Sequence, residues 1–80
     1  MKSKVLTIEE TIKIGRIYEH FKGGRYKVIK LVKDATGEEL KTMVEYGCLM
    51  DGEIYVREIY NFTGYVFRNG EWKKRFELVN

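Results

Sequence analysis

The chain has little of the chemistry on which most enzymes depend. Its 80 residues include one histidine, one cysteine, one serine and no proline. A hydroxyl nucleophile needs a histidine base held beside it, and the single serine, Ser3, stands at the N-terminus. Transition-metal sites want three or four His, Cys or carboxylate ligands at recognisable spacings, and this sequence has no such pattern. The sequence therefore predicts a protein that is not an enzyme, holds no metal and folds without a cofactor.

Cysteine and long apolar runs are equally scarce. Cys48 is the only cysteine, so no internal disulfide is possible, and a free thiol is typical of a reducing compartment. No apolar run approaches the roughly 20 residues that span a bilayer. Residues 1–6 also lack the apolar core of a signal peptide. We therefore expect a cytoplasmic location and no membrane partner.

What the chain does contain is typical of a small globular domain. Hydrophobic residues make up 44% of it, and its aromatic residues are six tyrosines, four phenylalanines and one tryptophan. This hydrophobicity excludes the class of intrinsically disordered chains. A chain of this length is enough for one domain with a core of modest size. We expect residues 1–80 to form a single domain.

The net charge of +3 combines two blocks of opposite sign. Residues 13–33 contain seven basic residues and one acidic residue, a sum of +6, and residues 34–58 contain seven acidic and two basic residues, a sum of −5. On neighbouring antiparallel strands, these blocks would form cross-strand pairs worth a few tenths to about 1 kcal/mol each. The basic block therefore has two interpretations, a paired structural surface or an anion-binding face.

The N-terminal segment predicts one short helix. Thr7 and Glu10 have the spacing of a capping box, in which each side chain accepts a backbone N–H of the first turn. Ile8 and Ile12 would then lie on one face, and Gly15 would end the helix in a left-handed conformation. The expected helix covers about residues 8–13 and is too short to be stable unless it packs on the rest of the domain.

From residue 16 the pattern changes to that of β-strands. Turns are marked by Gly23-Gly24, residues 34–37, Asp51-Gly52 and Asn69-Gly70. Alternation of apolar and polar residues is clearest over residues 40–46, whereas Val28-Ile29 breaks it and predicts a β-bulge. The prediction is a mostly β domain, in which about five short antiparallel strands over residues 16–79 form a small SH3-like barrel.

Asn69-Gly70 is the strongest local signal, because a type I′ turn needs positive φ at both central residues. Counting outward from this turn pairs Arg68 with Glu71 and Phe67 with Trp72. The first pair would close the hairpin by charge and the second by aromatic contact, each worth up to about 1 kcal/mol.

The first group of candidate ligand-binding residues lies near the only histidine. Tyr18, His20 and Lys22 alternate, so on a strand they would present a ring, an imidazole and an ammonium on one face. Arg25 follows after the glycine turn. Such groups stack on a base and pair with a phosphate. In the alternative interpretation His20 is structural, with its ring nitrogens bonded to a neighbouring strand or loop.

The second group is Tyr55 with Arg57. Arg57 would offer a planar fork to a carboxylate or phosphate, beside the ring of Tyr55. The structural alternative is an arginine whose stem lies along apolar neighbours and whose head pairs with a nearby glutamate.

Six residues match every fixed position of a motif Gly-x-x-Tyr-x-His-Phe/Tyr-Lys-Gly: Gly15, Tyr18, His20, Phe21, Lys22 and Gly23. The same pattern continues along the chain after this motif, and its later positions are matched by Tyr26, Val28, Thr36, Glu38, Val44, Tyr46, Leu49, Arg57, Phe62, Arg75 and Phe76. In this pattern the chain resembles the domain of unknown function 1653 family, small bacterial and phage-encoded proteins. Tyr55 and Glu58 depart from it, since the family usually has Trp and Pro there. The resemblance covers about residues 15–77 and implies a compact, mostly β fold without an assigned activity.

Two hypotheses for function follow, with a weaker third. The first is a non-enzymatic binding module for an anionic, nucleotide-like ligand, with a homo-oligomer interface supplying the concavity that so small a barrel can scarcely enclose. A long duplex is disfavoured, because +3 with an acidic middle block is a weak electrostatic footprint. The alternative is an SH3-like module that binds a protein or nucleic acid. The third is an enzyme whose site is shared across subunits.

Overall fold

The computed structural model describes residues 6–80 of the chain. Its elements, in chain order, are α1 (Ile8–Thr11), β1 (Ile17–His20), β2 (Arg25–Asp34), β3 (Lys41–Cys48), β4 (Ile54–Glu58), α2 (Ile59–Phe62), β5 (Tyr65–Arg68), β6 (Glu71–Lys74) and β7 (Phe76–Leu78). Residues 1–5, which include Ser3 and belong to the expected domain of residues 1–80, lie outside the described residues. Neither helix in the described part of the chain is long and apolar enough to cross a membrane.

Five strands form one antiparallel sheet in the order β4-β3-β2-β1-β7, and β5 pairs with β6 in a separate hairpin. The prediction of a mostly β domain with a short N-terminal helix is therefore confirmed. The sheet does not close into a barrel, because β4 and β7 are its two edges and no strand within residues 6–80 joins them. The chain instead leaves β4 through α2, a helix that was not predicted, and then forms the hairpin before β7 returns to the sheet.

The capping box of α1 is formed as predicted. The Thr7 N–H donates to Glu10 Oε1 at 2.8 Å, and the Glu10 N–H donates to Thr7 Oγ1 at 3.2 Å. The helix ends at Thr11, two residues earlier than expected, because Ile12 takes an extended conformation and is buried in the core. Gly15, with φ of 80°, belongs to the following turn, where its N–H donates to the Val28 carbonyl at 2.8 Å.

The core lies between one face of the sheet and the two short helices. It consists of Ile12, Tyr18, Val28, Val44, Tyr46, Ile59, Phe62 and Phe76. Phe62 is its centre, with its ring stacked on Phe76 at 4.1 Å between centroids and 6° between planes. The rings of Tyr18 and Tyr46 meet Phe62 edge-on, each at 5.4 Å. We call this face of the sheet the front face and the opposite one the back face.

The predicted β-bulge is present in β2. The β2–β3 register shifts between Val28 and Lys30, which places both Val28 and Leu31 on the front face, opposite Tyr46 and Val44. The same register sets Lys30 opposite Glu45 on the back face. Part of the basic block therefore lies beside the acidic block, as its structural interpretation requires.

The hairpin has the predicted turn and register, but its aromatic pair is on the surface. Asn69 and Gly70 have φ of 52° and 79°, and Phe67 lies opposite Trp72. The two rings are 5.1 Å apart, yet Phe67 is 58% exposed and Trp72 is 69% exposed. The pair therefore stabilises the hairpin locally and contributes nothing to the core.

We expect Trp72→Ala to lower the free energy of unfolding by less than about 1 kcal/mol, because an exposed cross-strand pair contributes no more than that. Urea unfolding followed by far-ultraviolet circular dichroism measures this change without depending on the lost fluorophore. A loss of about 3 kcal/mol, the cost of removing a core aromatic ring, would contradict the exposed position of Trp72.

Candidate functional site

An open cleft of about 330 Å³ lies at the end of the front face. Its lining is His20, Lys22, Gly23, Tyr26, Tyr46, Tyr55, Arg57 and Phe76. None of these eight lining residues carries a carboxylate. Four of the six predicted ligand-binding residues, His20, Lys22, Tyr55 and Arg57, are brought together here from separate parts of the chain. We call this site the tyrosine cleft.

Strand register explains why these side chains meet. Residues opposite each other on paired antiparallel strands project to the same face of a sheet. Tyr46 of β3 lies opposite Tyr55 of β4, and His20 of β1 lies opposite Phe76 of β7. Tyr26 of β2 stands between these two pairs, with its ring 5.5 Å from that of Tyr46 and 5.8 Å from that of Phe76.

The aromatic rings form a continuous wall whose outer end is accessible. Tyr46 and Phe76 are each 4% exposed, whereas Tyr55 is 43% exposed and stacks on Tyr46 at 5.7 Å and 29°. The negative charge of Asp51 raises the pKa of Tyr55, and burial raises the pKa of Tyr26. Both hydroxyls therefore stay protonated at neutral pH and are able to donate a hydrogen bond.

Arg57 is held in place by two protein acceptors. Its Nε donates to the Tyr46 hydroxyl at 3.1 Å, and its Nη1 donates to Asn61 Oδ1 at 2.6 Å. Its guanidinium carbon lies 5.4 Å from the centroid of the Phe76 ring. A guanidinium has five N–H groups, and within residues 6–80 these two oxygens are its only hydrogen-bond acceptors. The guanidinium of Arg57 is thus held by a tyrosine and an asparagine, and not by the glutamate of the structural alternative. Its remaining N–H groups are available to a ligand.

His20 is bonded to its own turn. Its Nδ1 accepts the Lys22 backbone N–H at 3.1 Å, and its ring meets Phe76 edge-on at 4.9 Å. Burial first, and then the charges of Arg57, Arg75 and Lys22, lower the pKa of His20 from its ordinary value. Because Nδ1 is an acceptor, the neutral ring carries its proton on Nε2 and is a hydrogen-bond donor there. His20 therefore combines the structural interpretation with a place in the cleft lining.

Lys22 reaches the cleft by a different route from the one predicted. Strand β1 ends at His20, so Lys22 does not continue the alternation. A tight turn follows, in which Gly23 and Gly24 have φ of 98° and 85° and the Gly23 N–H donates to the His20 carbonyl at 2.8 Å. These left-handed conformations favour glycine and bring Lys22 back beside His20.

Tyr18 and Arg25 are the two predicted residues that the structure does not bring into the tyrosine cleft. Tyr18 is 7% exposed and accepts the Lys13 N–H on its hydroxyl at 3.0 Å, so it belongs to the core. Arg25 is exposed, with its Nε 3.4 Å from Glu19 Oε1. Strand alternation correctly placed Tyr18 on the same face of the sheet as His20. Next to Tyr18, however, this face is covered by α2, which buries the Tyr18 side chain.

Sequence reasoning missed Tyr26, Tyr46, Phe76 and Asn61 as parts of the site. Tyr46 lies in the strand with the clearest alternation, which marked it as half-buried without showing which side chains it would meet. Asn61 gave no signal, because its role depends on α2 and on the distance to Arg57.

The lowered pKa of His20 gives a pH dependence with a definite sign. The folded protein binds a proton at this ring more weakly than the unfolded chain does. The stability contributed by His20 is therefore lost as the pH falls from about 6.5, the ordinary histidine value, towards the lower folded value. We expect the difference in unfolding free energy between the wild type and His20→Gln to shrink over this window in urea titrations. A difference that grows as the pH falls would contradict the neutral ring.

Comparison with known proteins gives one match. A family model described as protein of unknown function (DUF1653) matches residues 16–78. Comparison with curated proteins gave no match, and neither did comparison with solved structures. Within residues 6–80, no group of three or more His, Cys, Asp or Glu side chains is placed to hold a metal ion.

Proposed function

The chain belongs to the family of proteins of unknown function DUF1653, and we propose that this member is a non-enzymatic binding module for an anionic, nucleotide-like ligand. The site is the tyrosine cleft. One observation carries the proposal: two cationic side chains and an imidazole face four aromatic rings, and no carboxylate occurs among the described residues of the lining.

Each part of such a ligand has a counterpart in the cleft. The fixed fork of Arg57 and the ammonium of Lys22 supply charge-assisted hydrogen bonds to a phosphate. The exposed ring of Tyr55 supplies a surface on which a base stacks. The volume of about 330 Å³ is at the lower end of the range for small-molecule sites, which fits a mononucleotide better than a larger cofactor.

A second copy of the chain would enclose the open side of the cleft. Tyr55 and Arg57 lie on β4, an edge of the sheet, and Ile54 and Val56 of the same strand are 55% and 56% exposed. An apolar strand with a free edge is a template for pairing with another strand. We therefore include a homo-oligomer formed through β4 in the proposal. Native mass spectrometry of the purified protein tests it, and a monomer at every concentration would remove this part.

We place this interaction in the cytoplasm. The thiol of Cys48 is free and half-buried, and a reducing compartment keeps such a thiol unmodified.

Calorimetric titration with adenosine 5′-monophosphate tests the proposed function. We expect the monophosphate to bind in a saturable way and more tightly than either adenosine or inorganic phosphate. Adenosine lacks the phosphate and inorganic phosphate lacks the base, so each makes only part of the proposed contacts. Lys27→Gln is the matched control, since it removes one positive charge from the exposed back face of β2. The proposal fails if the monophosphate binds no better than phosphate alone, or if Lys27→Gln weakens binding as much as Lys22→Gln.

A further inference from the structure

The tyrosine cleft continues into two further grooves. A groove of about 360 Å³ is lined by Phe21, Lys22, Arg68, Asn69 and Lys73, so Lys22 is common to it and to the cleft. A third groove, of about 530 Å³, lies between the hairpin and β1 and shares Phe21 and Lys73 with the second. The three form one track around the turn that follows β1.

Phe21 stands in the middle of this track and is surrounded by cations. The guanidinium carbon of Arg68 lies 5.3 Å from the centroid of its ring, Lys22 Nζ lies at 5.8 Å, and the guanidinium carbon of Arg75 lies at 6.0 Å. The ring also lies 4.5 Å from that of His20, at 36° between planes. Phe21 is thus packed between an imidazole and three cations, and these cations are the groups that pair with a phosphate here.

The hairpin extends the same alternation of rings and cations. Tyr65 lies opposite Lys74, and Phe67 lies opposite Trp72, so these four side chains share one face of the hairpin. The three rings are between 57% and 69% exposed. Tyr65 and Trp72 line the third groove together with Lys74, and exposed rings beside a cation resemble the stacking surfaces that hold unpaired bases.

The charge along the track is mostly positive. Lys22, Arg57, Arg68, Lys73 and Lys74 line the three grooves, and the carboxylates among the lining residues are those of Glu19 and Glu77, both in the third groove. Glu19 is already in contact with Arg25 at 3.4 Å. Glu71 is not in the lining, but its Oε1 lies 3.7 Å from Lys73 Nζ, so a phosphate would compete with it for that cation.

We propose that the track binds a short single-stranded nucleic acid of about four nucleotides, with one nucleotide in the tyrosine cleft and the following ones along the cations around Phe21 and over the rings of the hairpin. The inference rests on the proposed function for its first nucleotide. The alternation of rings and cations selects this partner. An acidic peptide has the charge but lacks bases to stack, and a duplex hides its bases from the rings.

Trp72 is the only tryptophan of the chain, and its exposed ring makes it a reporter within the track. We expect an oligodeoxythymidylate of about eight nucleotides to quench its fluorescence in a saturable way, with an affinity that falls as salt is added. The variant Arg68→Gln/Lys73→Gln should bind the oligonucleotide about tenfold more weakly, because it removes two phosphate contacts. Its affinity for adenosine 5′-monophosphate should be unchanged, since neither residue lines the cleft.

Lys27→Gln/Lys30→Gln is the matched control, because it removes the same charge from exposed positions on the back face. This control variant should bind the oligonucleotide less than about twofold more weakly than the wild type does at moderate salt. Equal weakening by the two double variants would overturn the inference, and so would a polyglutamate peptide of the same length that displaces the oligonucleotide equally well.

The two proposals fail in different ways. Suppose that adenosine 5′-monophosphate binds, but the oligonucleotide binds no tighter than the monophosphate and leaves Trp72 fluorescence unchanged. The proposal for the track is then wrong, and the proposal for the tyrosine cleft is retained. Suppose instead that the oligonucleotide binds through Arg68 and Lys73, while Lys22→Gln changes the affinity for neither probe. The tyrosine cleft is then not a nucleotide site. The proposed track, which has its first nucleotide in the cleft, is then also wrong.

Discussion

Loss of both cations of the tyrosine cleft, in the variant Lys22→Gln/Arg57→Gln, is expected to weaken the binding of adenosine 5′-monophosphate by about a hundredfold or more. Hydrogen bonds to charged groups contribute about 1.5–3 kcal/mol each, and each 1.4 kcal/mol is about a factor of ten in affinity. Calorimetric titration of the variant measures the loss. A change of less than about fivefold would show that these two residues do not hold the ligand.

The two single variants separate binding from stability. Lys22 is exposed, so Lys22→Gln should lose affinity with an unchanged melting temperature. Arg57 is different, because its removal leaves the hydroxyl of Tyr46, a 4% exposed residue, without the donor that it has now. We expect Arg57→Gln to cost about 1–3 kcal/mol of stability as well as affinity.

Phe62→Ala is expected to lower the free energy of unfolding by about 3–5 kcal/mol. Phe62 is 1% exposed, stacks on Phe76 and meets Tyr18 and Tyr46 edge-on, so alanine leaves a cavity that these rings cannot fill. A domain of this size is stable by roughly 4–12 kcal/mol, so the variant loses a large part of its stability and should unfold at a much lower urea concentration than the wild type. Urea unfolding followed by circular dichroism gives the value.

Phe67→Ala is the matched control for Phe62→Ala. It deletes the same side chain from a position that is 58% exposed, and it should cost less than about 1 kcal/mol. Similar costs for the two variants, or a cost below about 1 kcal/mol for Phe62→Ala, would contradict the placement of the core between the sheet and α2.

The features predicted correctly from the sequence are those set by neighbouring residues. The capping box of Thr7 and Glu10 needs one helical turn, the bulge at Val28 follows from one break in alternation, and the Asn69-Gly70 turn follows from two residues that tolerate positive φ. Each signal lies within a few residues, and distant contacts did not override it.

The features that were missed depend on contacts between distant segments. Helix α2 has only four residues, too few for a periodic pattern, and it forms because Ile59 and Phe62 are buried against the sheet. Its presence buries Tyr18 and supplies Asn61 to Arg57. The open sheet has the same origin, since the chain enters α2 after β4 instead of continuing as a strand that would close a barrel.

The candidate site shows the same division. Residue types selected Tyr55 and Arg57, and residue types together with strand alternation selected His20 and Lys22, because rings and cations are the groups that bind a nucleotide. Strand register and the turn at Gly23 and Gly24 determine which of these residues lie together in the cleft. Arg25 has the same chemistry as Arg57, but Glu19 stands beside it.

Residue-resolved nuclear magnetic resonance tests the central claim most directly. In a titration of isotope-labelled protein with adenosine 5′-monophosphate, we expect saturable shifts of the His20 ring, the Tyr55 ring and the Arg57 side-chain N–H groups. The amides of Lys27 and Lys30, on the back face, should stay unchanged. Shifts that spread over the back face, or no saturable shift in the tyrosine cleft at millimolar ligand, would contradict a nucleotide-binding module.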